Sequence, residues 1–126
     1  MFLLDTHTLL WFIEDDIKLS IQAKSILSEN STPKFISIVT LWEIAVKYSL
    51  KKLELNISLA EFFNLIHSSD INIINISTEH LLILNSIEKH HKDPFDRIII
   101  AQAIAENFTI ITKDENFSKY EVNIIW

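Results

Sequence analysis

Short blocks of almost unbroken apolar residues punctuate this chain: "FLLD" (2–5), "KFISI" (34–38), "INIINI" (71–76), "FTIIT" (108–112) and "VNII" (122–125). Such blocks read as strands buried on both faces. Between them apolar positions recur at helical spacing. The helical stretches are "THTLLWFIE", "IQAKSILSE", "TLWEIAVKYSL" (40–50), "SLAEFFNLIHSS" (58–69), a segment at about 78–89, and Pro94 to about Asn107. Ser20 and Thr40 stand where the caps of the second and third helices are expected. Strands alternating with helices predict an α/β fold of three layers, with a short, mostly parallel sheet between helices. No repeat, low-complexity tract or linker interrupts the pattern, so residues 1–126 are expected to form one domain.

In a parallel sheet covered on both sides, functional groups gather beyond the carboxyl ends of the strands. Asp5 directly follows the first block, Asp114 follows "FTIIT" by one residue, and Glu43 lies one turn into the helix after "FISI". "HHKDPFDRIII" (90–100) adds two more acids at the start of an apolar helix. Asp93 precedes Pro94, and proline favours the first helical position, so Asp93 is read as the N-cap. Asp96 then falls in the first turn, where the helix dipole favours a carboxylate, or where a metal ion takes one.

Each remaining acid also has a structural reading. Asp5 caps the next helix through the amides of His7 or Thr8; Glu43 pairs with Lys47 on a solvated face; Asp114 is a turn residue. Together, however, carboxylates converging on one sheet edge repel one another unless a cation neutralises them. Oxygen donors without cysteine select a hard ion, Mg²⁺ or Mn²⁺, and such ions beside a cleft serve phosphoryl chemistry.

Composition narrows the choice further. At 48% hydrophobic the chain can fill a core, yet no apolar run reaches the roughly 20 residues that span a bilayer. "MFLLDTHTLLWF" lacks the basic start of a secretory leader, and the absence of cysteine fits a cytoplasmic location. A net charge of −6 argues against a protein that merely coats nucleic acid. With zero glycines there is no Rossmann or Walker phosphate loop, and Asn30, Asn56 and Asn107 are the expected left-handed helix stops. Trp11, Trp42, Phe62, Phe63 and Phe95 read mainly as core, with Trp11–Phe12 or Phe62–Phe63 as alternative partner patches.

"LLDTHTLLW", "SIVTLWEIAVKYSLKKLEL", "HKDPFDRIIIAQA" and "IITKDENFSKY", in this order and over nearly the whole length, resemble PIN-domain ribonucleases. More narrowly, they resemble the VapC-type toxins of toxin–antitoxin pairs. The resemblance implies a PIN-like fold and an acidic quartet of Asp5, Glu43, Asp96 and Asp114, both catalytic and metal-binding. Thr112 stands where the family often has a hydroxyl two residues before the last acid, and Thr6 is a further candidate to orient ligands. Two glycines usual in the family are replaced, one at Lys51 or its neighbour and one at Asn107.

The implied activity is endoribonuclease action dependent on Mg²⁺ or Mn²⁺, on transfer or ribosomal RNA, leaving 5′-phosphate and 3′-hydroxyl ends. A cognate antitoxin and a second copy of the chain are the implied partners. Lys47, Lys51 and Arg97 are the candidate RNA contacts, with Arg97 read equally as a salt-bridge partner for a nearby acid. Lys52, Lys113, His90, His91 and Lys92 also flank the acids. Three alternatives stand beside this reading. His90 and His91 suggest metal-free cleavage to a 2′,3′-cyclic phosphate; a receiver-like domain would place an acidic pair after the first strand; a PIN-like scaffold would bind RNA or protein without cutting.

Overall fold

A computed structural model describes residues 1–126. Five strands form one sheet: β1 (Phe2–Leu4), β2 (Lys34–Ser37), β3 (Ile71–Ile74), β4 (Thr109–Ile111) and β5 (Asn123–Ile125). Their spatial order is β3-β2-β1-β4-β5, and every pairing is parallel. The chain builds outward from β1 to β3 and then returns to lay β4 and β5 on the other side. The order therefore reverses between β1 and β4, which opens a crevice at their carboxyl ends.

Six helices make the crossovers: α1 (Thr6–Ile13), α2 (Ile21–Ser28), α3 (Ile38–Ser49), α4 (Leu59–Ser68), α5 (Thr78–Ser86) and α6 (Pro94–Glu106). Successive strand residues point to opposite faces, and the core divides accordingly. Leu4, Ile36 and Ile111 face Leu9, Leu27, Phe62 and Ile66 in one layer. Leu3 and Ile110 face Ile99, Ile100, Phe108 and Phe117 in the other. The three-layer, parallel arrangement expected from the apolar blocks is thus present. No helix is long and apolar enough to cross a membrane.

Several local expectations need correction. Helix α3 is capped by Ser37, whose Oγ accepts the Val39 N–H; Thr40 lies inside the helix, buried, with its hydroxyl unpaired. Helix α5 ends at Ser86, earlier than expected, and Glu115–Lys119 forms a 3₁₀ turn that periodicity had not revealed. Trp42 is 61% exposed rather than core, resting edge-on against Phe95. Phe62 is buried as expected. Of the three asparagines, only Asn107 takes the left-handed conformation (φ 55°); Asp15 (50°) and Lys51 (56°) are the other such residues. Lys51 is the position where a glycine was missed.

One lysine belongs to the core. Lys34 opens β2 with 1% exposure, and its Nζ donates to the carbonyls of Leu27 and Glu29 at 3.0 and 2.6 Å. It also meets Asp70 at 2.8 Å. The ammonium satisfies the carboxyl end of α2 and binds it to the segment entering β3. Lys34→Met should therefore destabilise the fold by about 2 kcal/mol in urea denaturation, because two carbonyls lose their donor. Lys51→Gly should do the opposite, adding up to about 1 kcal/mol by removing the left-handed penalty of a side chain.

Candidate functional site at the carboxyl edge of the sheet

The carboxyl ends of β1 and β4 each deliver an acid. Asp5 leaves β1 and caps α1, its Oδ1 accepting the Thr8 N–H at 2.8 Å. Its Oδ2 accepts a 2.6 Å hydrogen bond from Thr112 Oγ1, beyond β4. The capping reading of Asp5 holds, and capping uses only one of its oxygens. The same Thr112 hydroxyl accepts the Asp114 N–H at 3.0 Å, so one threonine ties both acids to the crevice. Asp114 is also a turn residue: its Oδ1 accepts the Asn116 N–H and caps the 3₁₀ turn.

The next residue on β1's exit, Thr6, reaches the other way. Its Oγ1 donates to Glu43 Oε1 at 2.6 Å, and Lys47 Nζ pairs with the second oxygen. Glu43 is 3% exposed, so the solvated-face reading is set aside: this is a buried carboxylate held by two donors. Burial opposes the Lys47 charge, but its bond to Glu43 and the fields of Asp93 and Asp96 hold its pKa above the ordinary lysine value.

Asp93 caps α6 as expected, one oxygen accepting the N–H groups of Phe95 and Asp96 at 2.9 and 3.0 Å. Asp96 has no such support. Its side chain is 18% exposed; His91 Nε2 lies 3.4 Å away without making a hydrogen bond. Burial, then the charges of Asp93, Glu43, Asp5 and Asp114, push the Asp96 pKa up to about 8. Each of these acids therefore lies near enough for its charge to act on Asp96. Burial also raises Asp5, against the hydrogen bonds from Thr112 and Thr8 and the charge of His7.

A cleft of about 590 Å³ opens beside Asp5 and Asp114, lined also by His7, Trp11, Lys113 and Lys119; Glu43 and Asp96 do not line it. His7 and Lys119 were not anticipated. His7 follows Asp5 by two residues and was legible in principle, whereas Lys119 belongs to the turn that the pattern did not show. Of the candidate cations, Lys51 is exposed beyond α3. Arg97 is corrected: its guanidinium is buried, donating to the carbonyls of Glu88 and Leu84 and to the Tyr120 hydroxyl, and it pairs with no acid. A guanidinium spent on helix-end carbonyls is a structural clamp. His90 and His91 both pack edge-on against Tyr120, but their ring nitrogens meet different groups, the Glu88 carboxylate at 3.4 Å and the Tyr120 hydroxyl at 2.8 Å respectively.

The donor chemistry suits a hard divalent cation. The four acids offer only oxygen, and Asp96 is short of any donor in a field that disfavours its charge. No three Asp, Glu or His side chains already close into a ligand cage.

The PIN domain family model matches residues 2–123. Among solved structures, a chain of VapBC2 from Rickettsia felis, bound to a DNA fragment from the promoter, matches with a TM-score of 0.75 and 18% identity. That match covers 98% of this chain and 96% of that one. A chain of DNA-bound VapBC from Salmonella typhimurium gives 0.74 and 18%, over 98% and 96%. A toxin–antitoxin complex from Klebsiella pneumoniae gives 0.64 and 24%, over 100% and 97%. At these identities the likeness speaks for the fold. No curated protein matches the chain.

The raised Asp96 pKa fixes a pH dependence. Between about pH 4 and the folded value of about 8, the folded chain keeps a proton that the unfolded chain has released. Stability of the metal-free protein therefore falls as pH rises through that window. Asp96→Asn should remove the share of the decline that Asp96 contributes, leaving only that of Asp5, whose pKa burial also raises. Thermal melts should show little difference from wild type near pH 4, and a gain on the order of a few kcal/mol near pH 8.

Proposed function

Because the chain belongs to the PIN domain family, we propose that it is an endoribonuclease dependent on Mg²⁺ or Mn²⁺, the VapC-type toxin of a toxin–antitoxin pair. The observation that carries this reading is the donor-poor Asp96 carboxylate within the field of Asp5, Glu43, Asp93 and Asp114 at the β1/β4 crevice. Asp5, Asp96 and Asp114 would hold the ion, with Glu43 completing the site or orienting the attacking water. When bound, a divalent cation supplies activation of water and stabilisation of charge on the phosphate oxygens.

The chain's own residues set the geometry. Thr112 fixes Asp5 and places the turn that carries Asp114; Thr6 and Lys47 hold Glu43 in one rotamer. Preorganisation of this kind means that little reorients when the substrate arrives. Attack by water on phosphorus leaves 5′-phosphate and 3′-hydroxyl ends. The substrate class is structured RNA, transfer or ribosomal. The partners are a cognate antitoxin and a second copy of the chain, and the compartment is the cytoplasm.

A second reading, a non-catalytic PIN-like scaffold, draws on the absence of a closed ligand cage. One experiment separates them. The antitoxin-free chain is incubated with total cellular RNA in Mg²⁺, in Mn²⁺ or in EDTA, and the new ends are mapped. The nuclease gives discrete cuts with 5′-phosphates that vanish in EDTA. Asp5→Asn should lower cleavage by more than about 100-fold, beyond the usual cost of losing an outer hydrogen-bond partner of a metal ligand. Retained activity in that variant overturns the site assignment, and no metal-dependent cut favours the scaffold. Cyclic-phosphate ends insensitive to EDTA would return the reaction to His90 and His91.

A further inference from the structure

A second cavity, of about 500 Å³, lies where the end of α5 meets the start of α6. Its wall includes Asn85, Lys89, His91, Lys92 and Arg97, and no carboxylate. In a chain of net charge −6 that composition is not the background. Four other cavities, of about 310 to 590 Å³, each carry at least one acid in their walls. Lys89 and Lys92 are exposed at the rim, and neither makes an ion pair or a side-chain hydrogen bond. Asn85 adds an exposed amide. Arg97 forms part of the floor, where it neutralises the carbonyls at the end of α5 that would otherwise repel an anion.

His91 joins this cavity to the acidic site. Tyr120 holds one side of its ring, with the hydroxyl 2.8 Å from Nδ1, while Nε2 stands 3.4 Å from Asp96 Oδ2. The imidazole is therefore a wall between a pocket rich in cations and a carboxylate assigned to the reaction. A strand whose scissile phosphate sits at Asp96 must carry its neighbouring phosphates past one side of that wall or the other. On one side lies a pocket with unpaired ammonium groups.

We propose that this cavity is a backbone subsite, taking an RNA phosphate next to the scissile one, with Lys89 and Lys92 supplying the charge and Asn85 a hydrogen bond. The assignment rests on the nuclease reading for the identity of the strand. It also gives that reading what the acidic cleft lacks, a place where the polyanion gains rather than loses electrostatic energy.

The test uses the full chain carrying Asp5→Asn, in Mg²⁺, and a short fluorescent single-stranded RNA of mixed sequence. Binding is measured across a salt series for this background, for added Lys89→Ala/Lys92→Ala, and for added Lys24→Ala, a lysine outside both cavities. The double substitution should weaken binding by roughly tenfold or more at low salt and reduce the salt slope by about one to two, the signature of lost phosphate contacts. Lys24→Ala should stay near the background, and Mn²⁺ binding to the otherwise wild-type chain should not change with Lys89 and Lys92. Unchanged RNA affinity and slope in the double variant overturn the subsite, even if the wild-type chain cuts RNA. RNA held through these lysines by a chain that never cuts would keep the subsite and defeat the nuclease reading. If the chain binds no RNA at all, both fall.

Discussion

Burying the Asp5 carboxylate is the costly step around which this crevice is built. At 4% exposure the charge has lost nearly all its water, and burial alone drives the pKa upward. The counterweights are local: the Thr8 amide on one oxygen and the Thr112 hydroxyl on the other. Neither donor is adjustable. The first exists only if α1 starts at Thr6, and the second only if β4 pairs with β1 in the register that aligns Leu4 with Ile111. A buried acid thus makes helix start, strand register and site geometry one condition.

From the same β1–α1 turn a second line of bonds runs to α3. Asp5 looks toward β4 while Thr6 looks toward Glu43, and Lys47 closes that line from one turn further along the helix. Two consecutive residues therefore anchor the two sides of the crevice where the strand order reverses. A parallel sheet can do this because its strand ends lie level, so acids distant in sequence arrive at one height.

Much of this was legible before the fold was known. The apolar blocks gave all five strands, and the position of acids just after two of them gave the edge. Asp93 was readable as a cap because the proline after it leaves little else for it to do. What escaped depended on contacts between distant segments. Ser37 caps α3 instead of Thr40 because β2 stops at Ser37, a tertiary limit that helical period does not contain. Lys34 looks like any strand-edge lysine until the end of α2 folds over it. Arg97 looks like a phosphate ligand until α5 ends one turn early and leaves carbonyls beside it. Trp42 reads as core because its neighbours are apolar, but α3 turns that face outward. With no glycine in the chain, other residues must take up the left-handed conformation. Asn107 was the natural left-handed residue, whereas Asp15 and Lys51 are held there by the structure around them.

The pairing of Asp93 and Asp96 on one helical turn shows how the two kinds of demand are met together. A helix start offers a few free N–H groups, and Asp93 takes two of them, including that of Asp96 itself. The carboxylate of Asp96, which the dipole at the same helix end should favour, is left without a donor and with four acids acting on it. Desolvation and like charge outweigh the dipole, so the group is unstable as an anion unless a cation is supplied. Had Asp96 been the cap, its charge would have been satisfied by the backbone and of little use to a ligand. Giving the cap to the residue three positions earlier keeps the helix start intact and leaves one carboxylate in want of a partner at the sheet edge. That deficit is a local instability of the free chain, and it is also what would make binding there favourable.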